Sequence, residues 1–207
     1  MIKEIAEDPS WIFDDSQKIN NQSMEGETMT DQEIQELLIT AMKKSTSDVF
    51  STMLGMEAEV GEVNQGSRSP APTEGVVSLI GLTGPWMGTG SISCSPQMAC
   101  ALAGALLMGE YPAVDEEVLD AVAEVTNMVI GNVKTMIEEK VGFMGLSTPT
   151  VIFGRNFSTK SAGSHSWTMV PFQFSAGKVL VQMCLVQNTE GNAPSRIGFT
   201  NPSMATA

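Results

Sequence analysis

The sequence predicts an α+β domain in which three main helices pack on a mostly antiparallel sheet. Apolar residues repeat at helical spacing in three segments, whereas five other apolar stretches are short and rich in β-branched or aromatic residues. These segments follow one another in the order helix, hairpin, two helices and three strands. Because the strands are grouped rather than regularly alternating with helices, this order favours antiparallel pairing.

Three helices are expected from their start and stop signals. Thr30 is followed three residues later by a glutamate, the spacing of a capping box, which predicts a first helix from Asp31 to Leu54. Pro96 is tolerated at a helix start and predicts a second helix that ends before Gly109. The third and longest helix is predicted over 115–141, because its first turn is acidic and its last turn contains a lysine.

Strands are expected between these helices and after them. A turn at 83–88, rich in Gly and Pro, joins the first two strands into a hairpin. Pro171 lacks a backbone N–H and therefore predicts an edge strand or a bulge at its position. The five predicted strands cover residues 76–80, 90–95, 149–153, 167–174 and 178–187.

Composition and charge limit the classes of function. Of the 207 residues, 42% are hydrophobic and 17% are charged, which suits a globular domain with a substantial core. The formal net charge of −13 argues against nucleic acid or an anionic membrane surface as the partner, since both require a positive surface. No apolar run reaches the ~18 residues of a membrane span, and the N-terminus lacks the apolar stretch of a secretory signal. We therefore expect a cytoplasmic protein.

The chain is predicted to hold one domain between two tails. Residues 1–29 are acidic and polar and are expected to be disordered, and residues 30–187 form the domain. Residues 188–207, rich in Asn, Pro, Ser, Thr and Gly, form a flexible C-terminal tail. The apolar cluster at 11–13 either folds back on the domain or docks on another protein.

The third helix carries the residues most able to perform chemistry. At 100° per residue, its apolar side chains occupy one arc of about 120°, which we expect to be buried. These residues are Val118, Leu119, Val122, Val125, Val129, Val133, Met136 and Ile137. The opposite side is polar and carries Asp120, Glu124, Asn127, Gly131, Lys134 and Glu138.

Glu124 and Asn127 are neighbours one turn apart on this polar side. Gly131 follows one turn later, and it leaves a bare patch that would admit another molecule, although a mid-helix glycine costs about 1 kcal/mol relative to Ala. The pattern alone is more typical of a merely solvated face, because Glu and Asn are ordinary surface residues.

The segment 124–132 resembles a known signature. Its pattern Glu-x-x-Asn-Met-x-x-Gly is similar to that of the CheC/CheX family of chemotaxis phosphatases. Three further segments agree in order, namely 53–56, 80–84 and 148–155, so that the resemblance covers about residues 31–187. CheC-type members carry the Glu-x-x-Asn pair twice, but the first helix here has no second copy. The chain therefore looks CheX-like, with one site.

The family implies hydrolysis of the aspartyl phosphate on a response-regulator receiver domain, such as phosphorylated CheY. By the resemblance, Asn127 orients the attacking water and Glu124 clamps the active-site lysine of the receiver. The chain would need no cofactor of its own, because the receiver supplies Mg²⁺. The same resemblance, together with the irregular edge expected at Pro171, implies a homodimer.

Residues around the pair are expected to touch the receiver, and these are Asp120, Met128, Gly131 and Lys134. Met128 is equally consistent with a place in the core. Thr126 departs from the family pattern, which often has glycine there, and we expect it to alter partner contact. Asp120 and Glu138 place negative charge near the phosphoryl group, which predicts weak, salt-sensitive association.

The alternative function is a non-catalytic receiver-binding or scaffold protein, since docking uses the same helix face. Other hydrolase chemistries fit less well. Cys94, Cys100 and Cys184 lack the arginine six positions on that a cysteine phosphatase requires, and we interpret them as buried thiols. His165 is the only histidine, and no Gly-x-Ser-x-Gly elbow accompanies it.

Overall fold

The computed structural model describes residues 29–66, 74–155, 157 and 166–188. His165 and the predicted tails, apart from residues 29 and 188, lie outside these ranges. Among the described residues, no helix has the length and apolar character needed to cross a membrane. The helices are α1 (Asp31–Met53), α2 (Pro96–Leu107) and α3 (Glu116–Val141), and the strands are β1 (Glu59–Val60), β2 (Asn64–Gly66), β3 (Glu74–Thr83), β4 (Trp86–Cys94), β5 (Gly145–Leu146), β6 (Thr150–Arg155), β7 (Trp167–Phe174) and β8 (Gly177–Gln187).

The strands of the described chain pair antiparallel in one sheet, which confirms the predicted fold class. The sheet runs in the order β1, β7, β8, β4, β3 and β5, while β2 also pairs with β7 and β6 also pairs with β3. The predicted hairpin is formed by β3 and β4, and β7 and β8 form a second one. All five predicted strands are present.

The helices pack on one face of this sheet. Ile130 of α3 lies so close to Gly90 of β4 that a Cβ on the glycine would come within 2.8 Å of the Ile130 side chain. Phe50 of α1 stacks on Phe174 of β7, with ring centroids 4.5 Å apart. The register through β8 puts Gly90 and Phe174 on the same side of the sheet. α2 contacts α3, β3 and β8.

Local chemistry sets both ends of α3. The Asp115 carboxylate caps the first turn by accepting a hydrogen bond from the Val118 N–H at 3.0 Å, and the acidic first turn suits the positive end of the helix dipole. At the other end, Gly142 has φ +88° and donates its N–H to the Glu138 carbonyl at 3.0 Å. The predicted third helix is therefore confirmed to within one residue.

Pro171 lies in β7 beside a bulge, as its missing N–H predicts. β1 and β2 both pair with β7, but three residues, 61–63, lie opposite only two, 170–171. Gly61 donates its N–H to the Pro171 carbonyl at 2.8 Å. Because the bulged segment faces the proline, the absent donor leaves no regular ladder bond unmade.

Two features of the sheet differ from the sequence prediction. The strands β1, β2 and β5 are not predicted, because they are only two or three residues long and carry no alternating pattern. They are recognised as strands only because β1 and β2 pair with β7 and β5 pairs with β3. The hairpin turn is also shorter than the predicted 83–88, because Trp86 and Met87 pair with β8 and extend β4 to Trp86.

The three thiols are not equally buried. Cys94 and Cys184 are buried as predicted, but Cys100 is half-buried, so the prediction is wrong for this residue. Cys100 lies on the side of α2 that lines a cavity of about 520 Å³ together with residues 109–114.

Candidate functional site

One stripe of α3 carries the polar residues predicted for the site. Asp120, Glu124 and Asn127 are exposed in the first half of the helix. Gly131, Lys134 and Glu138 continue the stripe in the second half and are half-buried. The polar side of the helix thus faces outward, as the helical wheel predicts.

The opposite arc of α3 is buried as predicted, with Leu119 and Met136 half-buried as exceptions. Thr126 is completely buried beside this arc, and its hydroxyl donates to the Val122 carbonyl at 2.8 Å. Burial is tolerated because the helix itself satisfies this hydroxyl. The Thr126 side chain is therefore not exposed for direct contact, and an effect of this residue on partner choice stays a prediction.

Glu124 and Asn127 lie one turn apart on the exposed stripe. Residues three apart on a helix have Cβ atoms about 5–6 Å from each other, so one partner surface can meet both side chains. Within the part of the chain that the structure describes, neither side chain makes a hydrogen bond or an ion pair. Both functional groups are therefore available to another molecule, and the buried arc of α3 fixes their direction.

Lys134 already has a partner. Its ammonium pairs with Oε1 of Glu138 at 2.6 Å, and the two side chains are 16% and 18% exposed. The same oxygen accepts the Met144 N–H at 2.7 Å. These two hydrogen bonds, the one from Lys134 foremost, hold the pKa of the Glu138 carboxyl below its ordinary value. Because Lys134 offsets the charge of Glu138, the repulsion expected at a phosphoryl group comes mainly from Asp120.

Gly131 is bordered by the strand that follows α3. A Cβ at this position would lie 3.8 Å from Cδ1 of Leu146 in β5, which is an ordinary van der Waals contact. The patch beside Asn127 is therefore closed on one side by Leu146. Met128 lies at the edge of the stripe and is half-buried, which suits contact with the core on one side and with a partner on the other.

Two apolar residues beside the stripe are missed by the sequence prediction. Phe143 is 80% exposed, and its ring centroid lies 5.3 Å from the Lys134 ammonium. Leu146 borders Gly131. Both follow the end of α3, where helical periodicity no longer applies, and the single signal for Phe143 is an apolar residue directly after a helix-stop glycine.

The arrangement is suited to positioning groups that a partner brings. In the described residues, no three His, Cys, Asp or Glu side chains come close enough to hold a metal ion. The cavity beside α2 includes no stripe residue among those that line it. A carboxamide both donates and accepts hydrogen bonds, whereas a carboxylate pairs with a cation. The fold and the stripe therefore define a protein with an exposed carboxylate and carboxamide held in fixed directions on one helix face.

Comparisons with known proteins narrow this class. The family model described as chemotaxis phosphatase CheX matches residues 76–173. The CheY-P phosphatase CheX of Thermotoga maritima is 30% identical over 127 residues, which cover 61% of this chain and 81% of that protein. The chain belongs to the CheX family of chemotaxis phosphatases.

Solved structures agree with this assignment. The chemotaxis protein CheX of Desulfovibrio desulfuricans is 27% identical with a TM-score of 0.65, and the match covers 72% of this chain and 99% of that one. The CheX of Borrelia burgdorferi, in a complex with CheY, BeF₃ and Mg²⁺, is 28% identical with a TM-score of 0.59. That match covers 72% of this chain and 98% of the other.

Proposed function

We propose that this chain is a phosphatase that hydrolyses the aspartyl phosphate of a CheY-like response-regulator receiver domain. The observation that carries the proposal is the pair Glu124 and Asn127, which are exposed one turn apart on the stripe of α3 and make no hydrogen bond or ion pair with any residue that the structure describes. Two relatives support it, since the Thermotoga protein is a CheY-P phosphatase and the Borrelia protein forms a complex with CheY.

Asn127 orients the attacking water in this proposal. An acyl phosphate is already labile, so in-line placement of one water suffices and no covalent intermediate is required. The amide oxygen accepts a hydrogen bond from the water, but the amide cannot take up a proton at neutral pH. The water-positioning glutamine of GTPases has the same role.

Glu124 clamps the active-site lysine of the receiver and sets α3 in register over the phosphate. The receiver supplies Mg²⁺, which offsets charge on the phosphoryl group, so this chain provides no cofactor. Contact with the receiver extends along α3 through Asp120, Met128, Gly131 and Lys134. Lys134 takes part in this contact while paired with Glu138, rather than as a free cation.

Replacement of Asn127 tests the proposed chemistry. Phosphoryl loss from a cognate receiver is followed with Mg²⁺ present, and Asn127→Ala is expected to lower kcat by about 100-fold or more. The fold should be unaffected, because Asn127 is exposed. Asn132→Ala is the matched control, since Asn132 is also exposed on α3 but points about 140° around the helix from Asn127. The control should keep the wild-type rate.

The alternative is a receiver-binding or scaffold protein that uses the same stripe only for docking. It predicts that neither the wild type nor Asn127→Ala changes the intrinsic rate of phosphoryl loss, although the receiver still binds. That result, obtained with every receiver of the source organism, would overturn the phosphatase proposal.

Two further expectations from the sequence stay predictions. One is a location in the cytoplasm, where a receiver partner would be met. The other is assembly into a homodimer, which the family resemblance implies.

A further inference from the structure

We infer that Phe143 is a docking residue for the receiver, and that Lys134 and Glu138 are positioning residues that hold it at the C-terminal end of the α3 stripe. The inference rests on the proposed function and extends it from the chemistry of Asn127 to recognition of the partner.

The exposure of Phe143 is the first argument. Its side chain is 80% exposed, directly after α3. Aromatic side chains bury about 150–250 Å² when covered, and they are enriched at the buried centre of protein interfaces. A phenylalanine left in water gains most from a partner that covers it.

The backbone on both sides of Phe143 is fixed. Gly142 adopts φ +88° at the end of α3, a conformation that favours glycine. A Cβ at Gly84 would come within 2.7 Å of the Phe143 carbonyl oxygen, so the β3–β4 turn packs tightly against this residue. Met144 is completely buried, and its N–H donates to Glu138. The ring is therefore presented from a rigid support, which reduces the entropy lost on binding.

The ion pair on α3 positions the ring itself. The Lys134 ammonium lies 5.3 Å from the centroid of Phe143 and 2.6 Å from the carboxylate of Glu138. A cation over an aromatic face is attractive, and the carboxylate holds that cation in place. Glu138 thus fixes both the backbone after Phe143, through Met144, and the cation above the ring.

Phe143 is continuous with the proposed receiver contact. Lys134 follows Asn127 by seven residues, which is about 10 Å along the helix. A standard interface covers about 800 Å² on each partner, equivalent to a disc of roughly 16 Å radius. A receiver seated over Asn127 therefore reaches the ring beside Lys134. Gly131, between them on the stripe, carries no side chain that would hold the two surfaces apart. The receiver is thus the partner that this surface fits.

Phe143→Ala tests the docking role. The KM for the phosphorylated receiver is expected to rise about tenfold or more, with kcat at saturation unchanged. Because the lost contact is apolar, the ratio of the KM of Phe143→Ala to that of the wild type should be the same at high salt. Phe143→Leu keeps part of the apolar surface and should rescue KM in part. The melting temperature should be unchanged, since the removed ring is exposed.

Met87→Ala is the matched control. Met87 is a large apolar residue that is 42% exposed. It lies three residues before Gly90 in β4 and therefore points to the sheet face opposite the helices. This variant should keep the wild-type KM and kcat.

A double-mutant cycle tests the positioning role of Lys134. Lys134→Gln removes the cation and should raise KM by less than Phe143→Ala does. In the Phe143→Ala background, Lys134→Gln should have a clearly smaller effect than in the wild type, because the part of its effect that passes through the ring is already lost. Additive effects of the two substitutions would show that Lys134 acts on its own.

Binding is measured in parallel with turnover, using a receiver loaded with BeF₃ and Mg²⁺ as a stand-in for the phosphorylated form. If Asn127→Ala is inactive but Phe143→Ala binds and turns over like the wild type, the docking inference is wrong and the proposed function survives. If the wild type is inert but Phe143→Ala weakens binding, the proposed chemistry fails and the docking inference survives. If Phe143→Ala changes only the oligomeric state, the surface belongs to a second copy and the inference is overturned.

Discussion

Among the polar side chains of α3, those held by the fold are bonded, whereas the pair proposed to act at the phosphoryl group makes no bond within the described residues. Thr126 donates to the carbonyl of its own helix, and Lys134 and Glu138 pair with each other. Glu124 and Asn127 make no such contact within the described residues. Unpaired polar groups cost little at an exposed position because water satisfies them, so that a partner can replace this water directly.

The thiols offer a prediction at the scale of single residues. Burial raises the pKa of Cys94 to about 12, with the neighbouring Cys100 as a second cause. Burial also raises the pKa of Cys100, with Asp115 second, and that of Cys184. Because the thiolate is the reactive form, iodoacetamide at about pH 8 should modify half-buried Cys100 slowly and the other two only after unfolding. Mass spectrometry of peptides from native and denatured protein would show this order, and rapid labelling of Cys94 in the native protein would contradict it.

Gly131 offers a prediction at the scale of α3. A mid-helix glycine costs about 1 kcal/mol relative to Ala, and a methyl group here would only touch Leu146 at 3.8 Å. Gly131→Ala should therefore raise the free energy of unfolding by up to about 1 kcal/mol. The same methyl group projects into the stripe beside Asn127, so the KM for the receiver should rise. Denaturant unfolding and steady-state kinetics measure the two effects.

Asn132→Ala is also the control for this substitution. Alanine raises helix propensity at Asn132 as well, but this exposed position lies off the stripe. The Asn132→Ala protein should therefore be more stable than the wild type and should bind the receiver with unchanged affinity. A Gly131→Ala protein that is more stable and binds with unchanged affinity would mean that the receiver does not approach this part of α3 closely.

Comparison of the elements shows which parts of the structure the sequence can predict. The ends of α3 are predictable because the Asp115 cap and the Gly142 stop act within one turn. The strands β1, β2 and β5 are not, because each exists only through pairing with a distant strand. The exposure of Phe143 is not predictable from the sequence either, because it depends on the packing of Gly84 against its backbone and on the hydrogen bond from the Met144 N–H to Glu138. The proposed catalytic pair is local in sequence, whereas the docking surface that we infer depends on tertiary structure.

Over the whole sequence, negative charge is concentrated in the first third of the chain. Residues 1–62 contain 14 acidic and 4 basic residues, which is most of the net charge of −13. On the stripe, Glu138 is offset by Lys134, whereas Asp120 and Glu124 form no ion pair within the described part of the chain. Association with a phosphorylated receiver therefore has two electrostatic contributions of opposite sign. In the proposed complex, the net charge and Asp120 repel the phosphoryl group over distances beyond contact, and Glu124 attracts the receiver lysine at contact.

Ionic strength separates these two contributions. The Debye length is about 8 Å at 0.15 M salt, so the long-range repulsion is already largely screened there, whereas a contact pair is not. Between about 0.15 and 0.5 M salt, the wild-type affinity for a receiver loaded with BeF₃ and Mg²⁺ should therefore fall, because the contact attraction is the part that remains to be screened. Glu124→Gln should bind more weakly at low salt and show a flatter dependence, while Phe143→Ala should bind more weakly with the wild-type slope. A wild-type affinity that stays constant over this range would mean that Glu124 forms no charge pair with the receiver.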